Sequence, residues 1–337
     1  MAAALCGACD QGEQSDQLLP YAIPGVRHIS PPTANVGNGM PLQCVPDPAT
    51  SKCIGTVELA FDRLLLPVSV TRQSIFLSDK QNPPHLATPL VAYDPVARVV
   101  RVTPRQEDAF TPGLTYQVQI ASPHDSSDPN GLRAIDGATL DLNKPAPVIE
   151  FAVVAAAMAP PAPPVIDFCN QVDPVLPSCG NLPQCHLNRT PALGLVLYFG
   201  DLPKTRATAI GRVAEESNTG ALSHAQPVSR LFGRDMPIID PGDGTTGDPG
   251  NSFLLYKILM APNPAAGLTT TANAHSLPWM PLSDSERATL AGLIPGREMP
   301  LPSTDPRTVG TSLSLDALET ISLWIAQGAR VPDSCTQ

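Results

Sequence analysis

Residues 89–103 read PLVAYDPVARVVRVT, and this stretch decides the fold of the first half of the chain. It contains two apolar runs, residues 89–93 and 97–103, which the turn-forming pair Asp94 and Pro95 separates. Short runs rich in valine and bounded by turn residues are typical of β-strands. The stretch therefore predicts two consecutive strands joined by a tight connection.

Further short runs surround this stretch on both sides. Residues 56–61 and 114–120 alternate apolar and polar side chains, and residues 74–77 and 149–154 are apolar runs of similar length. The runs follow one another at intervals of roughly 10–20 residues with no amphipathic helix between them, which is the spacing of an antiparallel β-sandwich. We therefore predict an all-β sandwich over residues 44–157.

Composition limits what the whole chain can be. Its 337 residues are enough for about two domains. A net charge of −10 argues against a nucleic-acid surface or a polybasic membrane patch. The chain has 40 prolines, 24 glycines and only 15% charged residues, while 42% of its residues are hydrophobic. These values predict a globular, loop-rich and exported protein.

The eight cysteines are unevenly spread. Cys44 and Cys53 flank a turn-rich loop, so they form either a local disulfide or two free thiols. The chain lacks the paired C-x2-C motifs of a four-cysteine zinc site.

The N-terminal residues 1–43 read as a signal remnant followed by an extension. Gly7 and Ala8 precede Cys9, and this order is similar to a bacterial lipobox, whose cysteine is lipidated. Cys9 is therefore the lipidation candidate, and a plain flexible tail is the alternative. No apolar run reaches the ~18 residues that a membrane helix needs, so we expect membrane attachment only through a lipid anchor.

A Pro/Ala-rich segment, residues 158–164, predicts a semi-rigid linker between two domains. The second domain, residues 165–337, carries the chemistry. Cys179, Cys185 and His186 form a C-x5-C-H motif, which is the c-type haem attachment pattern with three extra residues. Two thiols reach the porphyrin vinyl groups and the imidazole binds the iron. Three alternatives stay open: two thioethers, a thioether at Cys185 alone, or a Cys179–Cys185 disulfide without haem.

Residues 315–326 place apolar side chains three and four positions apart and predict an amphipathic helix that ends near Gly328. Residues 240–248 form an acidic, glycine-rich loop. Its carboxylates, Asp240, Asp243 and Asp248, suit either a Ca²⁺ site or a plain turn-rich loop.

The phrases at residues 57–61, 67–71, 93–104, 111–120 and 150–151 resemble, in their order, the bacterial Ig-like domain of surface-layer and secreted proteins. The resemblance covers about a hundred residues and carries no nucleophile, acid pair or metal cluster. It implies a spacer or docking module.

The second half resembles the cytochrome-c-like domains of planctomycete and myxobacterial exported proteins. The resemblance rests on the C-x5-C-H motif and on residues 194–197, 240–259, 296–300 and 315–329, in that order. It implies a mainly-α cytochrome-c-like domain with one haem c. His186 would be the proximal iron ligand and Met299 the distal one, with Met280 as second choice and Met236 as a third Met-Pro pair.

The same resemblance bears on the remaining cysteines and on Trp324. Because the terminal helices cross in cytochrome c folds, it implies a Cys169–Cys335 disulfide; a Cys169–Cys179 bond is the alternative. Trp324 would pack against the first helix or a porphyrin edge, or serve as an ordinary core aromatic.

The sequence thus predicts a multi-domain fold, an all-β Ig-like sandwich followed by a mainly-α cytochrome-c-like domain. The expected function is electron transfer through one haem c in the periplasm or at the cell surface. The expected partner is a redox protein or another surface protein, and the chain is expected to be an electron carrier rather than an enzyme. The alternative is a haem-free structural or assembly lipoprotein whose cysteines form disulfides.

Overall fold

The computed structural model describes residues 28–123, 130–141, 143–158, 162–176, 195–197, 201–214, 236–261, 282–294 and 313–335. Residues 1–27 of the predicted N-terminal extension and residues 159–161 of the predicted linker lie outside this set. The chain forms two compact units, with the border in sequence between Pro163 and Pro164.

The described part of the first unit contains nine short β-strands in two sheets. They are β1 (Thr33–Ala34), β2 (Leu42–Cys44), β3 (Val57–Ala60), β4 (Ile75–Asp79), β5 (Leu86–Ala87), β6 (Leu90–Asp94), β7 (Val99–Thr103), β8 (Thr115–Ile120) and β9 (Val148–Ala155). One sheet has the order β1-β3-β7-β6 and the other β2-β9-β8-β4-β5. Neighbouring strands are antiparallel except β2 and β9, which are parallel.

The core of the first unit follows from the alternation of side chains along these strands. In β8, Tyr116, Val118 and Ile120 are buried while the residues between them are more exposed, as the pleat of a strand requires. Phe110 packs edge-on against Tyr116 and Phe151, with ring centroids 4.8 and 5.9 Å apart. Edge-to-face packing is a favoured arrangement for aromatic rings.

The connection between β6 and β7 lies at the Asp94-Pro95 pair. The Asp94 carboxylate accepts hydrogen bonds from the Val96 and Ala97 N–H groups, at 3.0 and 3.2 Å. Arg98 has a φ of 55°, and its guanidinium Nη1 donates to the Asp62 carbonyl at 3.1 Å. A buried aspartate that caps its own turn explains why the chain reverses at this point.

The described part of the second unit contains four α-helices: α1 (Leu202–Ala209), α2 (Phe253–Leu259), α3 (Asp284–Leu293) and α4 (Leu315–Ala326). One turn of π-helix, Phe168–Val172, lies near its start. Ser283 and Glu286 form a capping box at the start of α3. Among the described helices, none combines the length and apolar character that crossing a membrane requires.

The fold class predicted from the sequence, an all-β sandwich plus a mainly-α cytochrome-c-like domain, is wrong. Two β-sheets are the main organised structure of the described residues, and the helices that follow are only 7 to 12 residues long. The helical signal was strong only at residues 315–326. Pro203 and Pro249 each open a short helix or turn, a position where the missing proline N–H costs nothing, while a proline further along ends a helix.

Candidate functional site

The residues predicted to hold a haem lie outside the described part of the chain. Those that lie outside the described residues are Cys179, Cys185, His186, Met299, the alternative ligand Met280 and the lipidation candidate Cys9. Met236, the third Met-Pro methionine, is described and is buried at 1% exposure. Its carbonyl oxygen accepts from the Ala214 N–H at 3.1 Å, so Met236 belongs to the apolar core of the second unit.

Among the described residues, two disulfides are formed, Cys44 with Cys53 and Cys169 with Cys335. The second bond rules out the Cys169–Cys179 alternative. Disulfides persist in oxidising compartments such as the periplasm and the cell surface, and are rare in the cytosol. The chain is therefore an exported or cell-surface protein.

The aspartate loop, residues 240–252, uses its carboxylates to hold its own backbone. Asp240 accepts from the Gly242 N–H at 2.8 Å and from the Asn251 side-chain amide at 2.6 Å. Asp248 accepts from the Gly250 N–H at 2.9 Å. These bonds match the plain turn-rich reading of the loop. Among the described residues, no group of three or more His, Cys, Asp or Glu side chains is placed to hold a metal ion.

Asp243 is the most strongly held carboxylate of the aspartate loop. One of its oxygens accepts from the Thr245 hydroxyl at 2.6 Å and from the Thr245 and Thr246 N–H groups at 2.7 and 2.8 Å. The Thr245 hydroxyl, followed by the two N–H donors, lowers the pKa of Asp243 to about 2. Hydrogen bonds to the charged form favour ionisation, so Asp243 is charged over the whole neutral range.

The aspartate loop packs onto the carboxyl end of α4. The Gly247 N–H donates to the Ala326 carbonyl at 3.2 Å, and Arg330 Nε donates to the Gly244 carbonyl at 2.9 Å. A Cβ on Gly247 would lie 2.1 Å from the Ile325 oxygen. These contacts satisfy carbonyl groups that a helix end leaves unpaired. Residues 240–252 and the carboxyl end of α4, which are far apart in sequence, thus pack directly against each other.

Gly328 is required at the same contact for two reasons. Its φ of +89° is in the left-handed region, and a Cβ there would lie 2.4 Å from the Gly244 carbonyl carbon. Glycine is the usual residue that ends a helix in this conformation.

Helix α2 is held against the aspartate loop by polar bonds in a buried setting. The Tyr256 hydroxyl donates to the Gly250 carbonyl at 2.7 Å. Ser252 Oγ donates to the Asp248 carbonyl at 2.8 Å and accepts from the Asp240 N–H at 2.9 Å. All seven residues of α2 are buried, including Lys257, whose Nζ lies 5.9 Å from the Phe253 ring centroid.

An end clamp joins the two ends of the described second unit; we define it as Pro164, Ile166, Cys169, Gln327 and Cys335. The Gln327 side chain accepts from the Ile166 N–H at 2.9 Å and donates to the Pro164 carbonyl at 2.8 Å. The Cys169–Cys335 disulfide closes the clamp covalently. A primary amide that both accepts and donates imitates one residue of a neighbouring β-strand.

Trp324 and Arg206 strengthen the same region. The Trp324 ring centroid lies 5.4 Å from that of Phe168, and its Nε1 donates to the Arg330 carbonyl at 3.0 Å. Arg206 on α1 donates twice to the Val331 carbonyl, at 2.7 and 3.2 Å. Trp324 is 2% exposed and packs on Phe168 of the π-helical turn, so it lies in the apolar core of the second unit.

Sequence reasoning missed the buried polar side chains of α4. Glu319 and Ser322 are 5% and 1% exposed, and the buried Oγ of Ser322 makes no hydrogen bond to any residue that the structure describes. Asp173, which lies outside α4, is also buried, and its burial raises the pKa of the carboxyl. No local pattern marks these residues, because burial of a polar side chain is decided by what packs over it.

Comparisons with known proteins give no family. No protein-family model matches the chain, and no curated protein matches it. Among solved structures, the N-terminal part of the bacterial S-layer protein SbsC matches at 17% identity over 41% of this chain and 26% of that one, with a TM-score of 0.25. PcoC, a methionine-rich copper resistance protein from Escherichia coli, matches at 16% identity over 38% of this chain and 100% of that one, with a TM-score of 0.20.

A third match, to domains 1–6 of SbsC, has 15% identity and a TM-score of 0.25. It covers 41% of this chain and 15% of that structure, so the chain spans only a small part of the S-layer protein's length. At these TM-scores no argument on fold or function rests on the matches.

Proposed function

We propose that the protein is an exported, haem-free structural or assembly protein in which two disulfide-bonded units act as a scaffold. The end clamp is the observation that carries this proposal. It fastens the start and the end of the second unit by a covalent bond and by two bonds of one amide, Gln327. The aspartate loop supports the same interpretation, since its carboxylates bind their own backbone and shape the chain.

The finer location follows from the N-terminal sequence. Lipidation of Cys9 would attach the scaffold to a membrane by its lipid chains, which makes the protein a periplasmic or outer-surface lipoprotein. The partner would then be another surface or periplasmic protein. The first unit would act as the spacer or docking module that binds it.

Electron transfer through one haem c is the second candidate function. The pairing of Cys169 with Cys335 favours it, because that bond excludes a Cys169–Cys179 disulfide. Cys179 and Cys185 of the C-x5-C-H motif therefore belong to neither described disulfide. The same three alternatives remain for these thiols: two thioethers to haem, a thioether at Cys185 alone, or a Cys179–Cys185 disulfide without haem. With His186 and Met299 as axial ligands, a haem would supply one-electron transfer at a comparatively high potential.

A pyridine haemochrome spectrum of protein matured with a c-haem attachment system separates the two functions. The scaffold predicts colourless protein and a disulfide-linked Cys179–Cys185 peptide by mass mapping. A Soret band and a mass gain of one haem would overturn it in favour of electron transfer. The matched pair of variants is Cys179→Ser/Cys185→Ser and Cys44→Ser/Cys53→Ser: only the first should abolish any haem signal.

A further inference from the structure

The end clamp determines where mechanical tension would travel. The Pro-rich segment reaches the second unit at Pro164, and Cys169 follows five residues later. From Cys169 the disulfide leads directly to Cys335, which lies 166 positions further along the chain. The shortest covalent route across the second unit therefore bypasses almost all of its residues.

We propose that the second unit is a tension-shielded module: a pull between the linker and any point beyond Cys335 passes through the Cys169–Cys335 bond rather than through the fold. This proposal rests on the scaffold function proposed above, since only a protein that connects other structures is pulled from two ends. A covalent bond carries forces that rupture hydrogen bonds and apolar packing. Helices α1 to α4 lie inside the closed loop and stay folded while the bond holds.

The Gln327 amide fixes the segment that leads into the Cys169–Cys335 bond. Its bonds to Pro164 and Ile166 hold the chain immediately before Cys169 against the carboxyl end of α4. The segment before the disulfide can therefore extend by only a few residues before the covalent bond carries the tension.

The first unit provides an internal contrast. Its described disulfide joins Cys44 and Cys53, which are only 9 positions apart. Tension across this unit is therefore resisted by non-covalent contacts, including the parallel pair β2 and β9, where Leu42 pairs with Val153 and Cys44 with Ala155. Pulling the start of β2 away from the end of β9 loads these strands in shear. Under sufficient force the first unit should unfold and extend.

Single-molecule force spectroscopy on the full chain tests the proposal, with handles before residue 28 and after residue 335. For the oxidised protein we expect extension of the first unit only, about 40–50 nm at the length of an extended chain. After reductant is added to the folded protein, a further ~55–60 nm should appear, the extended length of the 166-position loop. The Cys169→Ser/Cys335→Ser variant should show that step without reductant.

The matched control is Cys44→Ser/Cys53→Ser, which should keep the second unit shielded in the absence of reductant. Two results would overturn the proposal: a step of ~55–60 nm in the oxidised wild-type chain, or no added length after reduction. The scaffold function is tested separately by the haem spectrum. Bound haem would contradict the scaffold function but would not change the length of the disulfide loop.

Discussion

The contact between the aspartate loop and α4 makes Gly247→Ala a sharp test of the second unit. A Cβ at this position would lie 2.1 Å from the Ile325 oxygen and 2.6 Å from the Asp240 oxygen. Both are backbone atoms, so neither can swing away as a side chain would. The loop must shift, which costs about 1–3 kcal/mol for overpacking, and it weakens the Gly247 bond to the Ala326 carbonyl, worth about 0.5–1.5 kcal/mol.

Together these terms predict a loss of about 2–4 kcal/mol in the free energy of unfolding of the second unit. For a unit of this size, the midpoint should fall by about 5–15 °C in calorimetry of the full chain. Gly292→Ala is the matched control, since no atom lies within 4 Å of the added Cβ and the residue is in α3. It should raise stability by up to about 1 kcal/mol. An unchanged midpoint for Gly247→Ala would refute the packing argument.

Three further predictions concern other parts of the chain. Because its pKa is lowered to about 2, Asp243 stabilises the fold above about pH 4, and this contribution is lost as the pH falls from about 4 to 2. Asp243→Asn should therefore flatten the acid branch of a plot of melting temperature against pH. An unchanged slope would contradict this. Replacing Cys44 and Cys53 by serine should cost about 2.5 kcal/mol from loop entropy, measured by urea unfolding under non-reducing conditions; an unchanged free energy of unfolding would contradict this. Phe110→Ala should cost about 3–5 kcal/mol, since the ring is fully buried and packs on two aromatics; a loss below 1 kcal/mol would contradict that placement.

Some elements of this protein can be predicted from the local sequence. Residues 97–103 are rich in valine and contain β7, because β-branched side chains suit a pleated, half-buried surface. Residues 315–326 predicted α4 with the bounds that the structure gives it, because the spacing of Leu315, Leu318 and Ile321 follows the helical period. Both patterns lie within one element, where period and burial are linked directly.

The same local signal led to the wrong fold class. One strong helix and a resemblance in motif order predict a whole mainly-α domain, yet residues 240–252 form a loop that is held by its own aspartates. A motif preserves an order of residues but does not specify how long the helices between them are. The described α-helices are only 7 to 12 residues long.

Local sequence patterns predict six of the described strands (β3, β4, β6, β7, β8 and β9), the amphipathic helix α4 and a set of cysteines suited to an oxidising compartment, but not the short strands β1, β2 and β5. Three features depend on long-range packing and have no local signal: the Cys169–Cys335 bond, the contact of Gly247 with the backbone of α4, and the burial of Glu319. The physical reason is that a periodic pattern fixes which face of an element is buried, whereas the partner of that face is chosen by packing between segments far apart in the chain.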